Sequence, residues 1–261
     1  MADAGFIRAT ELSALIAGAN EEELEEYERR YGDDPRKQVK SSLARARRRL
    51  NKSKAEHKRV DAMYALQEEL GGSGVVLGVD EVGRGAVAGP LTVAAVSLPP
   101  EPRIWGLNDS KQLTPARREV LAQQIEDVAL AVGVAHIEPQ EIDRVGMARA
   151  LRSAMAQAIQ NAGVNASAVL IDGNPVHVHD REVCVVKGDA KVACIAAASI
   201  VAKVTRDALM VGYDDLYPGY HLRECKGYAS SEHIEAIRRL GLSDIHRASF
   251  CGNFVETPRL F

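Results

Sequence analysis

Four acids stand where apolar runs of strand length give out. Asp80 and Glu81 follow VVLGV, Asp172 closes AVLID, and Asp189 follows VCVVKG. In α/β sheets, sites gather beyond the carboxyl ends of strands. If folding brings these separated segments together, several like charges converge in one cleft and repel one another. Hard divalent cations remove that penalty: Mg²⁺ and Mn²⁺ prefer oxygen ligands. Two such ions about 3.5–4 Å apart can activate a water and steady the leaving oxygen of a phosphodiester. Each acid also has a plainer reading, since acids are common in turns and Asp172-Gly173 and Gly188-Asp189 are turn dipeptides. Adjacent strand residues face opposite ways, so Asp80 and Glu81 share a site only if the strand bends or ends there. The glycines that follow would allow a bend.

Those glycines, Gly83-Arg84-Gly85, form a loop suited to a phosphate. With Ala88 they also fit the dinucleotide fingerprint G-x-G-x-x-A, which raises a nucleotide-dependent oxidoreductase as a rival. The fingerprint must open a helix whose N-terminus holds the pyrophosphate. Here Gly89-Pro90 leads into another strand-like run, LTVAAVSL, and two carboxylates precede the loop. The sequence contains no GxxxxGK[ST] P-loop. His177-Val178-His179-Asp180 resembles a metal motif superficially but lacks the continuation of a hydrolase signature.

The elements that must position these groups read as a mixed α/β layer. Strands are expected at 75–80, 91–98, 130–137, 168–172 and 183–189. Helices are expected from Thr114-Pro115 to about Val128, from Pro139 to about Asn161, from about Val192 to Val211, and from about Ser231 to Leu240 with Gly241 as a stop. The order β-β-α-β-α-β-β-α-α is that of a layered α/β domain. Ahead of it, Val39, Leu43, Ala46 and Leu50, then Val60, Met63, Leu66 and Leu70, recur at helical spacing. Asp34-Pro35 reads as the start of that helix, and Gly71-Gly72-Ser73-Gly74 as its stop. The expected organisation is therefore a helical appendage, residues 1–72, and an α/β domain, residues 73–261.

The 261 residues carry a net charge of −3, which conceals an asymmetry. Residues 29–60 hold 13 Lys/Arg against 3 acids, and the remainder 20 against 33. A basic block on an otherwise acidic chain suggests a polyanion partner; a solvated helix face is the alternative. No window approaches about 20 uninterrupted apolar residues, so no membrane span is expected. No signal peptide is visible at the N-terminus. The four cysteines show no CxxC pairing and read as thiols of a reducing cytoplasm.

Six separated blocks, GVDEVGRGAVAGP, NDSKQLTPARRE, LIDG, VVKGDAKVACIAAASIVAKVTRD, KGYASSEH and IHRASF, occur in the order and at the spacings seen in ribonuclease HII. The chain resembles that family over about residues 75–250. The resemblance implies an RNase H-like fold and a metal-dependent endonuclease using Mg²⁺ or Mn²⁺. Its substrates would be the RNA strand of RNA–DNA hybrids and single ribonucleotides embedded in DNA. By resemblance, Asp80, Glu81, Asp172 and Asp189 are the metal-binding carboxylates. Gly83, Arg84 and Gly85 form a loop whose backbone meets the ribonucleotide 2′-hydroxyl and its phosphate, and Tyr228 stacks on the next sugar. The 2′-hydroxyl is what separates RNA from DNA at a given site, so rigid donors and acceptors are needed against it.

Ser199, Lys203 and Asp207 lie at i, i+4, i+8 on one helix face. Ser199 and Lys203 are candidate phosphate contacts, with an intrahelical salt bridge as the alternative; Ser110 and Lys111 are further candidates. His246-Arg247 could border the cleft or pack beneath it. One departure is Cys225, where the block before KGY often has histidine. DDPRKQVKSSL resembles an extension carried by some bacterial members, and its basic helix is expected to grip the duplex. A monomer acting in the cytoplasm, with nucleic acid as partner and no membrane contact, is the expectation.

Overall fold

The structure, a computed structural model, describes residues 7–255, so the start of the first expected segment and the end of the second lie outside the described residues. The chain divides into two compact units, Met1–Arg59 and Val60–Phe261.

In the second unit, apolar runs bounded by glycine, proline and serine become five strands: β1 (Val76–Val82), β2 (Leu91–Ser97), β3 (Ala131–Ile137), β4 (Ala168–Asp172) and β5 (Glu182–Val185). They form one sheet of order β3-β2-β1-β4-β5. β1 pairs antiparallel with β2 and parallel with β4, and β4 is parallel to β5. Period-two alternation sends one set of side chains to each face. Leu77, Val79, Val93, Ala95 and Ile171 pack with Ala150, Ala154 and Met155 of α6 (Met147–Asn161). Ala94 and Val96 pack with α4 (Pro115–Val128) and with the alanine-rich start of α7 (Ala193–Leu216). α7 approaches β1 so closely that a Cβ on Gly78 would lie 2.2 Å from the Cys194 carbonyl carbon. Only glycine fits there. A short α8 (Leu222–Cys225) and the amphipathic α9 (Ser231–Leu240) complete the unit.

Several boundaries differ from the sequence reading. The helical region from Pro139 is two helices, α5 (Pro139–Val145) and α6, because Gly146 takes φ +81° between them. The fifth strand stops at Val185; Lys187 turns the chain at φ +56°, and Asp189 rides on the 3-10 turn Gly188–Ala190 instead of a strand. α7 continues to Leu216. After Gly85 no helix forms: the chain runs through a loop into β2, antiparallel to β1. A dinucleotide fold needs the opposite, and the oxidoreductase reading is withdrawn.

The first unit comprises α1 (Ala9–Gly18), α2 (Glu21–Tyr31) and the opening part of α3 (Lys37–Gly71). Asn20 and Glu23 form a reciprocal capping box that starts α2. Leu12, Ile16, Leu24, Val39, Leu43 and Ala46 are its core. α3 starts at Lys37, and Asp34 accepts the Arg36 backbone N–H (2.9 Å) and pairs with its guanidinium. The glycine run ends α3, but the units part earlier, at Arg59/Val60. Val60, Met63 and Tyr64 are buried with Ala94, Val96 and Ile104 of the second unit. Among the described residues no helix is long and apolar enough to cross a membrane.

Candidate active site

Three of the four acids meet. One carboxylate oxygen from each of Asp80, Asp172 and Asp189 lies within 4.8 Å of the others. The parallel pairing of β1 with β4 sets the first two side by side, and the turn after β5 supplies the third. Each is oriented by a donor or by backbone. The Glu81 N–H donates to Asp80 Oδ1 (2.7 Å), and the Gly188 N–H donates to Asp172 Oδ1 (2.6 Å). The Ser199 hydroxyl donates to Asp80 and is itself 2.9 Å from the Ser110 hydroxyl.

Glu81 stands apart from that triple. β1 does not end at Asp80 but continues to Val82, so alternation persists and the two acids diverge. Asp80 turns toward Ser199 on α7. Glu81 turns into a cavity lined also by Asp172, Arg84 and the start of α6. Arg84 Nη1 lies 3.6 Å from Glu81 Oε1. Asp172 thus sits between the two.

The electrostatics follow from this crowding. Burial raises the Asp80 carboxyl well above the usual carboxylate range, and the charges of Glu81 and Asp172 push the same way. Burial also raises Glu81, with Arg84 opposing and Asp172 reinforcing. Asp189 is raised by burial, then by Asp172 and Asp109. Burial alone would lower Lys111; Asp109, Asp80, Asp189 and Asp172 outweigh it and hold its ammonium charged. The donor set is oxygen-only and strained by like charge, the chemistry a hard divalent cation fits.

Two arginines hidden from solvent hold the glycine loop. Arg206, on α7, donates from Nε to Pro90 O (2.8 Å), from Nη2 to Ala88 O (2.9 Å) and from Nη1 to Lys226 O (2.7 Å). Arg247 donates to Gly89 O (2.8 and 3.1 Å) and from Nη1 to Arg84 O (3.1 Å). Burial lowers both; Arg247, beside Arg206 as well, falls to about 10 and stays charged at neutral pH. Gly83 takes φ +85°, and a Cβ there would meet Arg206 Nε at 2.2 Å. Gly85 has open space around it, and Arg84 projects into solvent. The sequence reading missed Arg206. Its signal was an arginine on the apolar stripe of α7, in line with Ile195, Ser199, Ala202 and Met210, all buried. His246 packs beneath the loop, hydrogen-bonded to Ser243 and His233.

The same carbonyl network docks the KGY segment. The N–H groups of Val87 and Ala88 donate to Gly227 O (2.9 and 3.1 Å), and the Cys225 sulfur accepts the Gly227 N–H (3.3 Å). Tyr228 follows, its ring 5.5 Å from the Arg206 guanidinium and 6.0 Å from Lys203 Nζ. Lys203 makes the intrahelical bridge to Asp207 at 2.8 Å. Ser199 faces Asp80 rather than open solvent. His177, His179 and Asp180 join no acidic cluster of metal-binding geometry among the described residues.

Comparison with known proteins adds to this geometry. The family model for ribonuclease HII matches residues 77–253, and that for the ribonuclease HII N-terminal domain matches residues 10–71. The chain is 42% identical to a ribonuclease HII of Lachnoclostridium phytofermentans, over 87% of this chain and 90% of that one. It is 47% identical to a ribonuclease HII of Moorella thermoacetica, over 77% and 99%. The crystal structure of ribonuclease H2 from Pyrococcus horikoshii superposes with a TM-score of 0.59 at 26% identity, covering 69% of this chain and 97% of that one. The matched span runs from β1 past Arg247 and so takes in the acids, the arginine-held loop and Tyr228: the chain belongs to the ribonuclease HII family and is a ribonuclease H hydrolase.

Proposed function

We propose that this ribonuclease H is a divalent-metal-dependent endonuclease. It hydrolyses the RNA strand of RNA–DNA hybrids and incises duplex DNA on the 5′ side of single ribonucleotides, opening their removal. In-line attack of water on the scissile phosphorus breaks the bond to the departing sugar oxygen, leaving a 3′-hydroxyl and a 5′-phosphate. The observation that carries this reading is the meeting of Asp80, Asp172 and Asp189 beside the glycine loop, in a chain of this family.

Asp80, Asp172 and Asp189 would hold Mg²⁺ or Mn²⁺ between them, with Glu81, on the other side of Asp172, as a fourth oxygen donor. When bound, such ions offset the phosphate's charge and lower the pKa of a water. The rest belongs to the chain's own groups. Ser199 and the backbone N–H groups of Glu81 and Gly188 fix the carboxylates. Arg206 and Arg247 hold Gly83–Gly85 rigid, so that its backbone can test for a 2′-hydroxyl. Tyr228 takes the following sugar, and Lys203, near its ring, faces the backbone phosphates, while Ser199 stays with Asp80. The enzyme acts as a cytoplasmic monomer, a reading with which its four unpaired cysteines agree.

The test is a DNA duplex with one ribonucleotide, incubated with Mg²⁺ or Mn²⁺, with and without EDTA. A nick 5′ of the ribonucleotide, absent with EDTA and absent from an all-DNA duplex, is expected. An intact duplex in both metals would contradict the proposal.

A further inference from the structure

The cavity beside Glu81 and Asp172 has a second wall that the reaction as described does not use. Its volume is about 470 Å³, and besides the acids it is lined by Arg149 and Arg152 of α6. They stand at i and i+3, on one helix face. Arg152 donates Nη2 to His177 O (2.7 Å), a neutral carbonyl that fixes the guanidinium and leaves its charge uncompensated. Arg149 enters no salt bridge among the described residues. Both are exposed, as freely solvated arginines would be. What sets them apart is that they share one cavity with two acids of the site. Ala148 and Arg149 belong to the first turn of α6, where Gly146 offers no side-chain cap to the backbone N–H groups. This adds positive potential to the same wall.

We infer that Arg149 and Arg152 form a phosphate subsite for the strand being cut, holding a phosphodiester that neighbours the scissile one. The inference rests on the nuclease reading above. The geometry gives the cavity lining two parts of opposite character: acids that call for a cation at the scissile phosphate, and guanidiniums in no salt bridge among the described residues. A sugar–phosphate backbone crossing it would satisfy both. Arginine suits this place because its planar fork grips phosphate oxygens in two directions. Such contacts set register and carry no base information.

The test compares wild type, Arg149→Gln/Arg152→Gln and Arg149→Lys/Arg152→Lys on a duplex with one ribonucleotide. Single methylphosphonates are placed at each phosphate flanking the cut. In the Gln variant, KM should rise about tenfold, kcat should fall far less, and the salt dependence of duplex binding should flatten by about two in slope. The Lys variant should keep the slope. One methylphosphonate position should weaken wild-type binding and leave the Gln variant unaffected. Wild-type KM and salt slope in the Gln variant, or no position whose effect disappears, would overturn the subsite while leaving the nuclease reading intact. A wild type that cuts no duplex would instead remove that reading, and the subsite with it.

Discussion

The carboxyl end of the sheet and the opening part of α3 treat concentrated charge in opposite ways. At the sheet, acids far apart in sequence are gathered with no salt bridge to any of the three among the described residues, and Lys111 offsets them only in part. In the first unit, cations dense in sequence are largely answered by the unit's own acids. Met1–Arg59 holds 14 Lys/Arg against 11 Asp/Glu, a net +3. Arg47 bridges Glu21 and Glu28, and Lys54 also pairs with Glu21 (3.0 Å). Arg49 donates to the carbonyls that end α1. On α3 what remains is Lys37, Lys40, Arg45, Arg48, Lys52 and Lys58, all exposed. At 3.6 residues per turn these fall within about 140° of arc, opposite Val39, Leu43 and Ala46. Charge density along a sequence is thus a poor guide to unbalanced charge. A polyanion would meet six cations on one face, and a metal would meet acids that no linear block announced.

The largest effect should come from the acids. Asp80→Asn or Asp172→Asn keeps shape and removes charge. Turnover on the ribonucleotide duplex should fall at least about a hundredfold, with duplex affinity by fluorescence anisotropy little changed. Native turnover in Asp80→Asn would break the acid half of the comparison.

Truncation sharpens the other half. A chain starting at residue 60 keeps Val60, Met63 and Tyr64 in the core, and keeps Gln67 accepting the Cys194 N–H (2.8 Å). A chain starting at residue 73 loses all four. At about 1.5–3 kcal/mol per buried side chain, urea unfolding should find it less stable by about 5 kcal/mol. Equal midpoints would show that the end of α3 contributes nothing to the catalytic unit.

Within the basic helix, the paired and unpaired cations should separate. Replacing Lys37, Lys40, Arg48 and Lys52 by Gln should flatten the salt dependence of duplex binding by up to about 3–4 in slope. Arg47→Gln should lower the melting temperature and leave that slope alone. Reversed results would mean that the stripe is only a solvated face.

The smallest effect is one of pH. The Asp80 pKa is raised in the folded state, so the folded protein holds that proton more tightly than the unfolded chain. The destabilising charge is absent below the ordinary carboxylate value of 3.8 and develops as pH rises toward the folded value. In metal-free protein, the melting-temperature advantage of Asp80→Asn should be several degrees at neutral pH and close as pH falls toward 4. A gap independent of pH would contradict the assignment.

β1 outlasts its apolar run and ends at Val82, whereas the end of β4 was legible because its apolar run stops at Asp172 before a glycine. The placement of Asp189 was not: the left-handed Lys187 ends β5 early, and a lysine carries no local signal for that conformation. Nor did periodicity reveal that Asp80 and Glu81 part company, since this depends on β1 outlasting them by a residue through its pairing with β2. The sequence reading does not single out Arg206, and it leaves Arg247 bordering the cleft or packing beneath it. Their role arises only when two segments, residues 84–90 and Lys226, bring carbonyls to them. Arg149 and Arg152 gained meaning only from the cavity that α6 helps to wall.

The central claim is that the gathered acids repel one another until a cation lies between them. Thermal unfolding of wild type, Asp80→Asn and Asp172→Asn with and without millimolar Mn²⁺ tests it directly. Mn²⁺ should raise the wild-type midpoint by several degrees, and both variants should start higher and respond little. A wild-type midpoint indifferent to Mn²⁺, with variants no more stable than the parent, would contradict the account.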